Sequence, residues 1–289
     1  MKQRSIETII APPPPHMVGD GFRVHNFFPG LLGKKRMSPF YLLDYNAKIE
    51  FGPSERPRGV SVHPHRGFET VTIAYHGRIA HHDSAGNHGV IGQGDVQWMT
   101  AASGILHKEY HEESFSREGG EFQMVQLWVN LPAVNKMSAP KYQEITQAKL
   151  GKVHLPANAG TIEVIAGEFD GVKGPAVTFT PMNVFNARLN GGGAQTFHFA
   201  PDHNTGLLVI EGSVTINERD VDQDHFVLFA NDGESFTISA KDQSVILVLS
   251  GQPIDEPIAQ YGPFLMNSWQ ELEQALEDVN SGKFGVLED

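Results

Sequence analysis

The stretch His63-Pro-His65-Arg-Gly-Phe-Glu69-Thr-Val-Thr-Ile-Ala-Tyr75-His-Gly77 decides the architecture of this chain. Val71, Ile73 and Tyr75 alternate with Thr70 and Thr72, the period of a β-strand, and Gly77 closes the run as a turn. His63 and His65 are two apart. On a strand such residues point to one face, so both imidazoles can reach a single ion inside a barrel. Glu69 shares their parity if the strand continues without a bulge.

The same punctuation recurs along the chain. DVQWM (95–99) and FQMVQLWV (122–129) follow in the first half; LLVIE (207–211), SVTI (213–216), FVLF (226–229), SFTIS (235–239) and SVILVL (245–249) fill the second. Short turns such as Gly212, Asn231-Asp232-Gly233 and Ala240-Lys241-Asp242 separate them. Many short strands with few helical stretches predict an all-β sandwich or barrel. One helix is predicted at 268–282. There Ser268 and Glu271 form a capping box, Trp269, Leu272, Leu276 and Val279 make an apolar face, and Gly282 is the stop. Thr196-Phe-His198-Phe…His203-Asn…Gly212 repeats the rhythm of the opening stretch about 140 residues later, which reads as an internal duplication that has lost most of its histidines. The expected boundary lies in the turn-rich NLPAVNKMSAP segment, giving domains of 1–135 and 136–289.

Composition narrows the function classes. The 289 residues include no cysteine, which excludes thiolate catalysis, disulfides and thiolate-held metals. The net charge of −12 falls wholly in residues 136–289, and no basic stripe of the kind that nucleic acid requires stands out. The N-terminus lacks the apolar core of a signal peptide and no apolar run is long enough to span a membrane, so a cytoplasmic protein is expected, with no membrane role. Pro12–Pro15 predict an extended polyproline stretch. No unusually apolar exposed strand stands out, and a monomer is expected.

Eight of the 14 histidines fall between 63 and 111, where even spacing would place two or three. Imidazole is the commonest transition-metal ligand, so the excess points to a metal. Gly104-Ile-Leu-His107-Lys-Glu109 repeats the i, i+2 geometry with one imidazole and one carboxylate. Three nitrogens and a carboxylate would leave two octahedral positions for exogenous ligands. His76, His81, His82 and His88 lie around turns and read as exposed, while His111 shares the parity of His107 and is a candidate for the pocket rim. Trp98, Met99 and Trp128 read first as core; Glu69, Gln97, Met99, Gln126 and Trp128 are also candidates to line the pocket or steady a ligand.

The segments His63-Pro-His65-Arg-Gly-Phe-Glu69-Thr-Val-Thr, Gly94-Asp-Val-Gln-Trp-Met-Thr-Ala and Gly104-Ile-Leu-His107-Lys-Glu109 resemble the pirin family of the cupin superfamily. Ser38-Pro-Phe-Tyr-Leu-Leu-Asp44, Gln126-Leu-Trp-Val-Asn-Leu-Pro132, Gly251-Gln-Pro-Ile-Asp-Glu-Pro and Tyr261-Gly-Pro-Phe-Leu-Met-Asn267 extend the likeness over nearly the whole chain. The resemblance implies two jelly-roll-like cupin barrels face to face, one metal in the N-terminal barrel, and no metal in the C-terminal barrel, where His198 and His203 lack a downstream His-x-Glu. It assigns the ligands His63, His65, His107 and Glu109, where a generic cupin pattern would choose Glu69 as the carboxylate. It implies Fe(II) first; the ligand set alone also accepts Mn, Ni, Co, Cu or Zn. A quercetinase-like dioxygenase is then expected, acting on a flavonol-like aromatic substrate with O2 and using Glu109 as catalytic base. The alternative is a metal- or redox-dependent regulator that binds a transcription factor or a metabolic enzyme without turnover. A sugar-binding cupin with isomerase chemistry shares the fold but not these motifs.

Overall fold

A computed structural model describes residues 2–289. Strands dominate it, and they gather into two compact units, each combining one seven-stranded and one four-stranded antiparallel sheet. The all-β, two-barrel expectation is met.

The histidine-bearing unit comprises residues 14–34, 39–147 and 254–289. Its larger sheet runs in the order Lys141–Ile145, Val96–Thr100, Phe68–His76, Gly120–Asn130, Phe40–Phe51, Phe22–Phe28, His16–Val18. Its smaller sheet runs Gly59–His65, Ile105–His111, Ile79–Asp83, His88–Ile91. The Ile105–His111 strand shows the two-residue period plainly. Ile105, His107, Glu109 and His111 are buried while Leu106, Lys108 and Tyr110 are only partly covered. The Phe68–His76 strand is buried on both faces through Tyr75, which is why Thr70 and Thr72 are inside although they are polar.

The other unit comprises residues up to 13, 35–38 and 148–253. Its interior is packed with phenylalanine rings from both sheets, among them Phe185, Phe197, Phe229 and Phe236, with Phe229 stacked on Phe236 at 4.3 Å. Each such burial contributes on the order of 2 kcal/mol, and together they fill the barrel with side chains. His198 on this barrel is exposed, and His203 is half-buried.

The units do not divide the chain at 135/136. The Ile6–Ile10 strand pairs with Phe226–Phe229, because that edge of the larger sheet would otherwise leave its backbone groups unpaired. The C-terminal helix, Trp269–Asn280, belongs to the histidine-bearing unit rather than to the other barrel. Its capping box forms as predicted, Ser268 Oγ accepting from Glu271 N while the Glu271 carboxylate accepts from Ser268 N at 2.8 Å. Its buried face differs from the predicted one. Leu272, Ala275 and Asp278 are inside, whereas Trp269 is 64% and Leu276 37% exposed. The face rotates because Asp278 turns inward to meet Arg66.

Candidate metal centre

Two neighbouring strands build the site. His107 stands opposite His63, and Ile105 opposite His65, in the pairing of Ile105–His111 with Gly59–His65. This register brings three imidazoles together, with ring centroids 4.8 Å (His63–His65), 4.2 Å (His63–His107) and 4.7 Å (His65–His107) apart. One ring nitrogen from each lies within 4.8 Å of the other two.

The hydrogen bonds leave the right atoms free. His63 Nδ1 lies 2.8 Å from the Ser61 carbonyl and His65 Nδ1 lies 3.4 Å from the Pro263 carbonyl. A carbonyl only accepts, so both Nδ1 atoms donate and both Nε2 lone pairs remain for an ion. His107 is buried with neither nitrogen hydrogen-bonded. Burial pushes the His65 and His107 imidazoles well below their ordinary pKa, and the neighbouring histidines push in the same direction. The rings are therefore neutral at pH 7, the form that binds metal. A buried imidazole without partners is costly, and a cation between the three rings relieves that cost. The residues fit a divalent transition metal.

Glu109 faces the same cavity but stands outside the three-histidine group. Its Oε2 accepts from Gln126 Nε2 at 2.8 Å and its Oε1 from Thr72 Oγ1 at 3.3 Å. A register shift between His107 and Glu109 places it opposite Val60 rather than in step with the histidine pair. Burial raises its pKa, opposed by His63 and by the two hydrogen bonds.

His63, His65 and Glu109 line a cavity of about 330 Å3, with His107 buried behind them. Val18, Phe22, Val24, Val60, Met124 and Trp128 give it apolar walls; Asp44 and Gln126 add polar groups. Trp128 meets the His65 ring edge-on at 5.4 Å and stacks on Phe68 at 4.2 Å. Asp44 Oδ1 accepts from Asn26 Nδ2 at 2.7 Å, and burial raises its pKa. The arrangement suits a small, largely apolar ligand.

Comparison with known proteins agrees with this geometry. The family model described as Pirin matches residues 21–129, and the Pirin C-terminal cupin domain matches 184–285. The chain belongs to the pirin family. A Pseudomonas aeruginosa relative named "Putative quercetin 2,3-dioxygenase" is 46% identical over 269 residues, 93% of this chain and 94% of that one. Human Pirin is 36% identical, covering 87% of this chain and 84% of its own. The crystal structure of quercetin 2,3-dioxygenase from Acinetobacter baumannii superimposes with a TM-score of 0.93 at 43% identity, covering 99% of this chain and 100% of that one.

Within this pirin barrel some sequence-based expectations change. Glu69 neither lines the cavity nor steadies a histidine. The chain turns at Arg66-Gly67 between two strands, so parity does not carry through, and Glu69 projects from the opposite face of the sheet to Thr72. There Thr100 Oγ1 donates to it at 2.7 Å and burial raises its pKa to about 7. Gln126 and Trp128 do line the cavity. Gln97 and Met99 share the cavity side of their strand, opposite Thr72 and Thr70, but lie beneath the lining, and Met99 packs with Ala101 and Ile105.

Two histidines also differ from expectation. His111 is fully buried, its ring edge-on to Phe51 at 4.7 Å and its Nε2 2.8 Å from the Gly21 carbonyl, rather than at the rim. His81, expected at an exposed turn, is 2% exposed, with Nε2 against the Tyr142 hydroxyl. It stands opposite Glu109 and shares its inward parity. Asp44 and the wall residues Val18, Phe22 and Val24 escaped the sequence reading. Asp44 ends a family-like segment but carries no ligand or acid–base pattern, the other three lie in no motif, and only strand pairing brings them to the histidines.

Proposed function

We propose that this pirin is a metal-dependent dioxygenase of the quercetinase type, holding Fe(II) on His63, His65 and His107 with Glu109 as fourth ligand or base, and acting in the cytoplasm. The observation that carries the reading is His107, buried with both nitrogens unpartnered beside His63 and His65, which line an aromatic-sized, largely apolar cavity. The names of the relatives at 46% and 43% identity support it.

When bound, the metal supplies Lewis-acid polarisation of a flavonol's enol oxygen and a redox partner for dioxygen. Glu109 takes the enol proton as general base, and burial, which raises its pKa, improves its match to that task. Gln126 and Thr72 hold its carboxylate in place. Trp128, Phe22, Val24 and Met124 pack on the aromatic rings and exclude water. Over the whole reaction the flavonol takes up both atoms of O2 and releases carbon monoxide.

The test is an anaerobic mixture of protein, quercetin and each of Fe, Mn, Ni, Co, Cu and Zn in turn, followed by admission of air. Oxygen-dependent loss of the flavonol's visible absorption with at least one metal is expected. No loss with any of them overturns the reading. In that case, metal-dependent capture of a protein partner would favour a regulatory role.

A further inference from the structure

Lys136 is 1% exposed, and all three hydrogen bonds of its side-chain nitrogen end on carbonyl oxygens. Its Nζ donates to Gly67 O at 2.7 Å, to Asn130 Oδ1 at 2.6 Å and to Leu265 O at 2.8 Å. These acceptors come from three segments far apart in sequence: the turn after His65, the end of the Gly120–Asn130 strand, and the Phe264–Met266 strand.

The last of these segments begins beside the site. Pro263 lines the cavity, and its carbonyl faces His65 Nδ1. Arg66, next to His65, also secures this segment. Its backbone pairs with Phe264, its carbonyl accepts from Leu265 N at 3.0 Å, and its guanidinium reaches Asp278 at 2.9 Å and Ser103 O at 2.7 Å. Gly67, at φ +89°, lets the two backbones meet: a Cβ there would lie 2.0 Å from Leu265 O. The turn that follows His65 and the segment whose carbonyl orients it are thus held by Lys136 and by Arg66.

Burying an ammonium on carbonyl oxygens is a costly way to gain stability, since well-packed apolar residues usually serve as well or better. What the ammonium adds is direction, because three N–H groups fix three chain segments relative to one another. We propose that Lys136 is a positioning residue for the metal centre, holding the Gly67 turn and the 263–265 segment so that His65 Nε2 points at the ion. The inference rests on the three-histidine metal reading.

Cobalt(II) tests it, because its visible bands report ligand geometry and need no turnover. Metal-free wild type, Lys136→Met, Asn130→Ala and a destabilised control in the other unit, Val248→Ala, are titrated with Co(II) against a competing chelator, and their unfolding is followed in parallel. The expected result is one Co(II) on wild type, at least tenfold weaker binding with displaced bands in Lys136→Met, a smaller loss in Asn130→Ala, and wild-type affinity and bands in Val248→Ala. If Lys136→Met does not fold, Asn130→Ala alone decides. Folded variants that bind Co(II) with wild-type affinity and spectrum overturn the proposal and leave the metal reading standing. Wild type that binds no Co(II) overturns the metal reading and the positioning role together.

Discussion

Gln126 Nε2 donates to Glu109 Oε2 at 2.8 Å, a bond between the two sheets of the barrel that fixes the carboxylate beside the histidines. Replacing Gln126 by Leu removes a charge-assisted hydrogen bond of ~1.5–3 kcal/mol without adding volume to the cavity. Turnover of a flavonol is expected to fall roughly 10–100-fold, with Co(II) affinity changed far less. Steady-state kinetics beside a metal titration check this. Unchanged turnover would show that Glu109 needs no such support.

The His107 ring lies 4.2 Å from that of His63 and 4.7 Å from that of His65, and neither of its nitrogens is hydrogen-bonded. A metal at a hundred times its Kd is expected to stabilise the wild type by about 2.7 kcal/mol, read as a rise in Tm. His107→Ala should lose that rise. Differential scanning calorimetry with and without Ni(II) decides, and a metal-induced shift that survives in His107→Ala would place the ion elsewhere.

Asp278 anchors the helix to the site-bearing turn. Lys283, then Gln274 and Arg66, hold its carboxyl down to about 2. A depressed carboxyl contributes stability that is present above its ordinary pKa near 4 and lost as pH falls through about 2. The urea midpoint of the metal-free wild type is therefore expected to drop more steeply between pH 4 and pH 2 than that of Asp278→Asn. Parallel curves for the two proteins would contradict it.

Phe197 lies among Phe169, Phe185, Phe199 and Phe236 and is fully buried. Phe197→Ala should cost about 3–5 kcal/mol through lost burial and the cavity left behind. Chemical unfolding measures it. A loss below about 1 kcal/mol would mean that the neighbouring rings collapse into the space.

Much of the site was legible before the fold was known, because the information is local. His63-x-His65 and His107-x-Glu109 each need only one strand's alternation to share a face, and the Ser268–Glu271 capping box needs only one turn. Glu69 shows where local reasoning stops. Its parity with His65 holds only along an unbroken strand, and the turn at Arg66-Gly67, set by contacts with Leu265 almost 200 residues away, reverses its face. The helix is similar, since its period marks Leu272 and Val279 but not that Asp278 would be drawn inward by Arg66.

The sequence alone determined that this is a β protein built on a repeated pattern, that it lacks thiol chemistry, and that its histidines concentrate where a metal would bind, for these follow from composition and from periods of a few residues. Only the tertiary structure decided which strands lie side by side, and hence that His63 faces His107, that Gln126 and Thr72 hold Glu109, that Asp44 and Phe22 line the cavity, and that Lys136 ties the turn after His65 to Leu265. Those pairings join residues tens to hundreds of positions apart. They depend on strand register and on the closing of one sheet against another, which no short-range pattern encodes.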